Sequence, residues 1–440
     1  MKKIGSESAE RGDAEMFTRP DLPRRNWAGN LIFQASQVSE PSTVEEVQHL
    51  IKACPRIKAL GTRHSFHDIA DTSGMHLSLH HFDEMMLDPV AGTVSVGAGV
   101  RYGELGAWLQ ANGFALQNLA SLPHISVVGA CATATHGSGL GNQCLSAAVA
   151  AVEFVDGHGE RVTWTRKREP QKLAASVVAL GALGVVTRMT LDVVPSFSVA
   201  QTVYENLPLD SLGKHWEEVL GAGYSVSLFT DWRQQRIRQI WVKQRLSEAA
   251  EAEVPDTLYG ALRQQDKLHP LPGHAAEHCT EQMGRPGPWF ERLPHFRMDF
   301  TPSSGAELQT EYLVPVEQGM EALLAVQRLG ASISPHLQIS EIRTIAADDL
   351  WMSMAYERDS LAIHFTWQPH GEAVQRLLPL IEESLAPFGA RPHWGKLFSM
   401  PRTRVGEIYP RFNDFVALVK HCDPEGKFRN AYLDRYLLED

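Results

Sequence analysis

The stretch from Ser126 to Gly141, SVVGACATATHGSGLG, has only two side chains bulkier than valine, His136 and Leu140, and it limits the fold more than any other segment. Side chains this small let a backbone lie flush against a large flat ligand. A related feature lies upstream. The short apolar run Ile57 to Leu60 ends in a glycine-started loop, Gly61-Thr62-Arg63-His64-Ser65, which reads as a strand followed by a phosphate-sized turn. Two such surfaces in one half of the chain suggest a bound cofactor.

Composition narrows the function classes. The 440 residues carry 41 Lys+Arg against 52 Asp+Glu, a formal charge of −11 without a basic block, which argues against a nucleic-acid partner. With 43% apolar and 21% charged residues the chain has the makings of folded domains, two or three at this length. No apolar run is long enough for a membrane span and the opening MKKIGSESAERGDAE has no signal-peptide core, so a cytoplasmic protein is expected. The 5 cysteines are scattered without a C-x-x-C pair and read as packing residues.

Local patterns predict an α+β fold. Asn26 to Asn30 reads as strand-like, and Thr43 with Glu46 forms a capping box for a helix whose apolar stripe is Val44, Val47, Leu50 and Ile51. Thr93 to Val96 alternates as a strand, and Arg101 to Gly113 reads as a helix stopped by its glycine. From about Val193 longer strand-like runs take over: Tyr224 to Phe229, Ile237 to Val242, Ala306 to Val314, Leu337 to Ile345 and Leu361 to Trp367. These predict a separate antiparallel sheet, with Ser247 to Glu253 and His269 to Pro288 as surface loops.

Several chemistries are poorly supported. Gly97-Ala98-Gly99-Val100-Arg101-Tyr102 lacks the third glycine of a dinucleotide fingerprint, and Gly395-Lys396-Leu397 lacks the rest of a phosphate-binding loop for ATP. The histidines His64, His67, His76 and His80 carry little weight as a metal set, because the stretch around His76 to His80 reads as a strand, and no metal is expected. His64 lies inside the first glycine-started loop, where it is either a hydrogen-bonded loop residue or a functional one. Glu341 and Arg343, two apart on a strand-like run, share a face with Ile339 and Ile345. They are either a salt bridge closing the sheet surface or part of a site. Lys396 shares its face with Trp394 and Phe398, apolar surroundings that disfavour an ammonium and suit a proton acceptor or a snorkelling lysine.

Eight motifs in order carry a resemblance: GTRHSF at 61–66, VGAGVRYGEL at 96–105, NLASLPHISVVGACATATHGSG at 118–139, GALGVVT at 181–187, SLFTDWR at 227–233, EIRTIAADD at 341–349, HFTW at 364–367 and RPHWGK at 391–396. The chain resembles the FAD-dependent alditol oxidases of the vanillyl-alcohol oxidase/p-cresol methylhydroxylase flavoprotein group. The resemblance implies a two-domain PCMH-type fold, with residues 1–189 in the FAD-binding domain, 190–398 in an antiparallel substrate-binding cap and 399–440 returning to the first domain. It implies that Ala59, Leu60, Gly61, Thr62, Arg63, His64 and Ser65 wrap the FAD pyrophosphate, with FAD attached covalently through His64. Family members often have a small residue where this loop has Arg63. Ser121, Ser126, Gly129, Thr133, Ala134, Thr135, His136, Val186 and His393 match positions that hold the rest of the cofactor.

Ser121, Glu341, Arg343, Thr366 and Lys396 match substrate-contacting positions, and their types suit a polyol such as xylitol or sorbitol. The implied reaction is hydride transfer from the terminal carbinol carbon to flavin N5, with molecular oxygen reduced to hydrogen peroxide. In it Arg343 and Lys396 stabilise a developing alkoxide, Lys396 or a nearby water takes the proton, and Glu341 orients the hydroxyl chain. A monomer is expected. The rival readings are an aldonolactone oxidase or dehydrogenase of the same group and a non-catalytic carbohydrate-binding protein.

Overall fold

Thr43 starts the first helix, Val44–Ala53, by the reciprocal bonds the sequence predicts. Its hydroxyl accepts from the Glu46 amide at 3.2 Å, and the Glu46 carboxylate accepts from the Thr43 amide at 3.3 Å. Val47, Leu50 and Ile51 are buried on the inner face. This helix connects the outer strand Gln37–Ser39 to Ile57–Leu60, and both pair in parallel with Met75–Ser78 between them. The computed structural model describes residues 25–246, 254–299 and 307–438, so the predicted loop Ser247 to Glu253 lies outside the described residues.

A second, five-stranded antiparallel sheet follows in the order Met85–Asp88, Thr93–Gly97, Val185–Asp192, Val149–Val155, Arg161–Thr165. The helix predicted from Arg101 spans Tyr102–Ala111, and Gly113 stops it with φ +81°. Asn26 to Asn30 is a turn rather than a strand. The reason is side-chain competition: Asn26 donates to Asn30 Oδ1 at 2.8 Å and its own Oδ1 accepts from the Leu31 amide at 3.0 Å, which replaces a ladder with local bonds.

The second half builds a ten-stranded sheet whose pairings are all antiparallel. Its centre runs Ser198–Pro208, Arg236–Leu246, Ser225–Thr230, Leu337–Ile345, Ser360–Trp367, Leu308–Pro315. The helices Gly319–Gln327 and Gly371–Leu385 pack on one another, and the first of them also lies against two of these strands. Among the described residues no helix is long and apolar enough to cross a membrane. All five cysteines are free thiols and four of them are buried, as packing residues should be.

The chain end is bonded back to the first half. Lys427 and Phe428 donate their amides to the Asp423 carboxylate at 2.8 Å each, and the Lys427 carbonyl accepts from Ile57 at 2.9 Å. Asn430 donates to the carbonyls of Asp68, Ile69 and Asp71 at 3.0, 3.0 and 2.8 Å, while its oxygen caps the next helical turn at Leu433. Asn430→Ala removes the donor shared by three carbonyls together with this cap. It should cost about 2 kcal/mol of unfolding free energy, read from the urea midpoint, and an unchanged midpoint would refute this role.

Candidate active site

The register of three central strands sets the site. Glu311 lies opposite His364, and His364 lies opposite Glu341, so the three form one row across the sheet. Side chains two residues along each strand fall on the same face. Gln309, Ile339, Arg343 and Thr366 therefore join the row, and all seven line a single cavity of about 1660 Å³. Ordinary ligand sites run to about 300–1,000 Å³, so this one has room for a dinucleotide-sized group together with a small molecule.

The opposite wall comes from the first half. Ala59 through Ser65, Ser121, Ser126, Gly129, Thr133, Thr135, His136 and Val186 line the same cavity, as do His393 and Lys396. Ala134 does not line it: its side chain is fully buried in the core and its backbone sits at φ +52°. Arg63 adopts φ +64°, a left-handed conformation that favours glycine, which gives a physical reason for small residues at that point of the loop. A Cβ on Gly61 or Gly129 would come to 3.0 or 2.7 Å from the Ser126 hydroxyl, so either substitution would displace that side chain.

Lys396 does not extend a strand. It follows a tight turn in which the Lys396 amide donates to the His393 carbonyl at 3.0 Å and the Gly395 amide to His393 Nδ1 at 3.0 Å. The alternation with Trp394 and Phe398 is thereby broken, and only Lys396 of the three reaches the cavity. The turn is bonded on both sides. His393 and Leu397 donate to the Glu311 and Gln309 carbonyls at 3.0 and 2.9 Å, and the Gly395 carbonyl accepts from Phe66, just after the His64 loop, at 3.0 Å.

Glu311 is the hub, and sequence reasoning missed it. Its side chain is fully buried, and one oxygen accepts from Arg343 Nη2 at 2.8 Å with His136 Nε2 at 3.3 Å, while the other accepts from Lys396 Nζ at 2.6 Å. Burial alone would raise its carboxyl, but Lys396, His136 and Arg343 outweigh it and hold the group well below the usual range. Glu341 behaves alike, since burial is outweighed by Arg343, 3.6 Å away, and by His295, which donates to it at 2.7 Å. Arg343 also donates to the Ser121 hydroxyl at 3.3 Å. His136, Glu311 and His393 come within 4.8 Å of one another, a spacing that a metal could use. The oxygens of Glu311, however, are already taken by Arg343 and Lys396, so this is an ion-pair centre. The signal for Glu311 was present as an acid inside the otherwise uncharged strand LQTEYLVP, but its partners lie far away in the chain.

His364, also missed, is buried and lies in the motif HFTW, two residues before Thr366. Gln309 donates its amide to Glu307 at 2.6 Å, which turns its oxygen toward His364 Nε2 at 3.1 Å. Nε2 therefore carries the proton and Nδ1, which has no hydrogen-bond partner, presents a lone pair. Burial, then Lys396, lower its pKa well below the ordinary 6.5 and keep the ring neutral. His64 is different again. It is stacked on Trp27 with centroids 5.2 Å apart, and both ring nitrogens are buried without a hydrogen-bond partner of good geometry.

Comparison with known proteins agrees with this layout. Residues 35–165 match the family model of the FAD binding domain, and residues 305–436 match that of D-arabinono-1,4-lactone oxidase. The chain is 47% identical over 412 residues to an alditol oxidase of a Streptomyces species, covering 93% of this chain and 97% of that protein. It is 28% identical over 429 residues to an L-gulono-1,4-lactone dehydrogenase of Mycobacterium tuberculosis, covering 94% and 98%. Among solved structures, a cholesterol oxidase from B. sterolicum superposes with a TM-score of 0.76 at 15% identity, covering 96% of this chain and 99% of that one. At that identity the likeness is one of fold, the mixed α+β architecture of FAD-binding oxidases. From the near-complete match at 47% identity and the cavity shared by both halves, the chain belongs to the alditol oxidase family of FAD-dependent oxidoreductases.

Proposed function

We propose that this protein oxidises the terminal primary hydroxyl of open-chain alditols, such as xylitol and sorbitol, to the aldose and releases hydrogen peroxide. The observation that carries this reading is the polar face of the cap sheet, where two carboxylates, a guanidinium, an ammonium, an imidazole and a hydroxyl line one cavity wall. Such a wall can direct hydrogen bonds to several hydroxyls of one chain. The Streptomyces alditol oxidase supports the same substrate class.

The residues present fit FAD. The backbone around Gly61 and Gly129 is bare where a flat or phosphate-bearing group must approach, and the unpartnered imidazole of His64 lines the cavity beside Trp27. Burial lowers the His64 pKa to about 4, so its ring is neutral and nucleophilic. We infer that Ala59–Ser65, Ser126, Gly129, Thr133, Thr135, His136, Val186 and His393 hold FAD, and that His64 bonds it covalently. When bound, FAD supplies the two-electron acceptor for the carbinol hydride and passes the electrons to oxygen.

The protein's own groups manage the proton and the charge. Glu311 holds the Lys396 ammonium and the Arg343 guanidinium together at the wall, where negative charge develops as the alcohol is deprotonated. A lysine in a 2.6 Å contact with an ionised carboxylate is a better donor than acceptor, even though burial lowers its pKa. The bare Nδ1 of His364 is the better acceptor for the hydroxyl proton. The match of residues 305–436 to the lactone oxidase model sustains a second reading, oxidation of an aldonolactone.

Peroxide release should follow addition of xylitol or sorbitol and not of L-gulono-1,4-lactone; the reverse order would establish the lactone reading. After acid precipitation, flavin absorbance should stay with the pellet, and for His64→Ala it should move to the supernatant; a colourless pellet from the unaltered protein would refute the covalent bond. Lys396→Met and His364→Ala should each slow anaerobic flavin reduction by about 10²–10⁴-fold, and a near-normal single-turnover rate would remove that residue from the chemistry. Because burial depresses the His364 pKa, the base loses activity only when protonated well below 6.5. The reduction rate should thus stay flat from about pH 8 to about pH 6.5, and an acid limb centred on 6.5 would contradict the assignment.

A further inference from the structure

A second chain of buried polar groups reaches Glu341 from behind, outside the groups that face the reacting carbon. It begins at Lys243, whose side chain is fully buried on the strand Arg236–Leu246. Burial lowers the Lys243 pKa to about 7, and its amine protons face three acceptors. These are the Leu293 carbonyl, the Pro294 carbonyl at 3.2 Å and His295 Nδ1 at 3.1 Å. Since Nδ1 accepts, the ring proton of His295 is on Nε2, and it is donated to Glu341 Oε1 at 2.7 Å. Burial, followed by the Lys243 charge, lowers the His295 pKa to about 4, which agrees with a neutral ring.

The ring cannot swing away. Phe229 and Trp241 pack edge-on against it, with centroids 5.7 and 5.1 Å distant. Its main chain is pinned as well, because the His295 amide donates to the Ser121 carbonyl at 3.0 Å and its carbonyl accepts from the Thr280 amide at 2.9 Å. One residue thus touches Ser121, from the cofactor-bearing half, through its backbone, and Glu341, from the cap sheet, through its ring. Oε1 of Glu341 is occupied by His295 with Arg343 Nε 3.6 Å away, which leaves Oε2 for a ligand.

We propose that His295, its tautomer fixed by Lys243, is a positioning residue that aims Glu341 at polyol hydroxyls other than the reacting one and ties that aim to the placement of Ser121. The inference rests on the alditol reading above. The proton acceptor and the cations that stabilise the alkoxide are other side chains, His364, Arg343 and Lys396, the first two of which adjoin Glu341; His295 touches none of them and so governs binding of the hydroxyl chain more than the chemical step. Removing a contact made equally in ground and transition state raises KM and spares kcat.

The test is steady-state kinetics with xylitol on His295→Leu, His295→Gln, Glu341→Leu and the double variant Glu341→Leu/His295→Leu, together with histidine-selective ¹⁵N spectra of the unaltered protein. His295→Leu should raise KM about tenfold with kcat within about threefold, while His295→Gln, whose amide can still donate to Glu341, should stay within about threefold of the unaltered KM. The double variant should be no worse than Glu341→Leu alone, because both changes remove the same contact. The spectra should show His295 protonated at Nε2 and bare at Nδ1. An unaltered KM in His295→Leu, additive effects in the double variant, or a proton on Nδ1 would each overturn the proposal. Should His295→Leu not fold, a His295→Gln variant as impaired as His295→Ala would do the same. If the unaltered protein gives no peroxide with any alditol, the alditol reading falls and the ring spectra still decide the hydrogen-bond chain.

Discussion

A carboxylate with no exposed side-chain surface holds this site together. Glu311 stands on the strand Leu308–Pro315 between Arg343, from a neighbouring region of the same sheet, Lys396, from the turn after the sheet, and His136, from the glycine- and threonine-rich segment of the first half. An isolated buried charge is costly, and breaking one partner of such a pair commonly costs about 3–5 kcal/mol. The arrangement is tolerable only when the carboxylate and its cations arrive together. That requirement fixes the polar centre of the second half's wall, and His136 from the first half lies against it in the cavity both halves line.

The architecture assigns different work to each half. Tight, bare backbone at Gly61 and Gly129 makes one wall, suited to a large flat group that is recognised by its shape and its phosphates. The antiparallel sheet makes the other, with a polar row projected from strands that are otherwise buried. A few main-chain bonds join the walls: Phe66 to Gly395, and His295 to Ser121. These short links set the distance between the two walls, and fixed proximity of groups held on facing walls is a large part of catalysis.

Much of this was legible in the residues. The capping box at Thr43, the strand Ile57–Leu60, the glycine stop at Gly113 and the strand Leu337–Ile345 follow from local rules and are present in the structure. Glu341 and Arg343 were marked by their two-residue spacing among isoleucines. Asn26 was misread because a side chain that bonds its own loop looks, in sequence, like the start of a strand. Lys396 was found through apparent alternation with Trp394 and Phe398, yet the backbone there turns, and a different geometry puts it in the cavity.

Glu311, His364 and His295 were out of reach of that reading for one reason. Their importance lies in pairings with residues 46, 55 or 85 positions away, and local periodicity carries no information about register between distant strands. The sequence alone determined the two bare backbone surfaces, the order of the motifs and the alternation that lets a strand present one polar face. The tertiary structure decided which polar groups meet, because burying a charge is feasible only where its partner is delivered from another part of the chain.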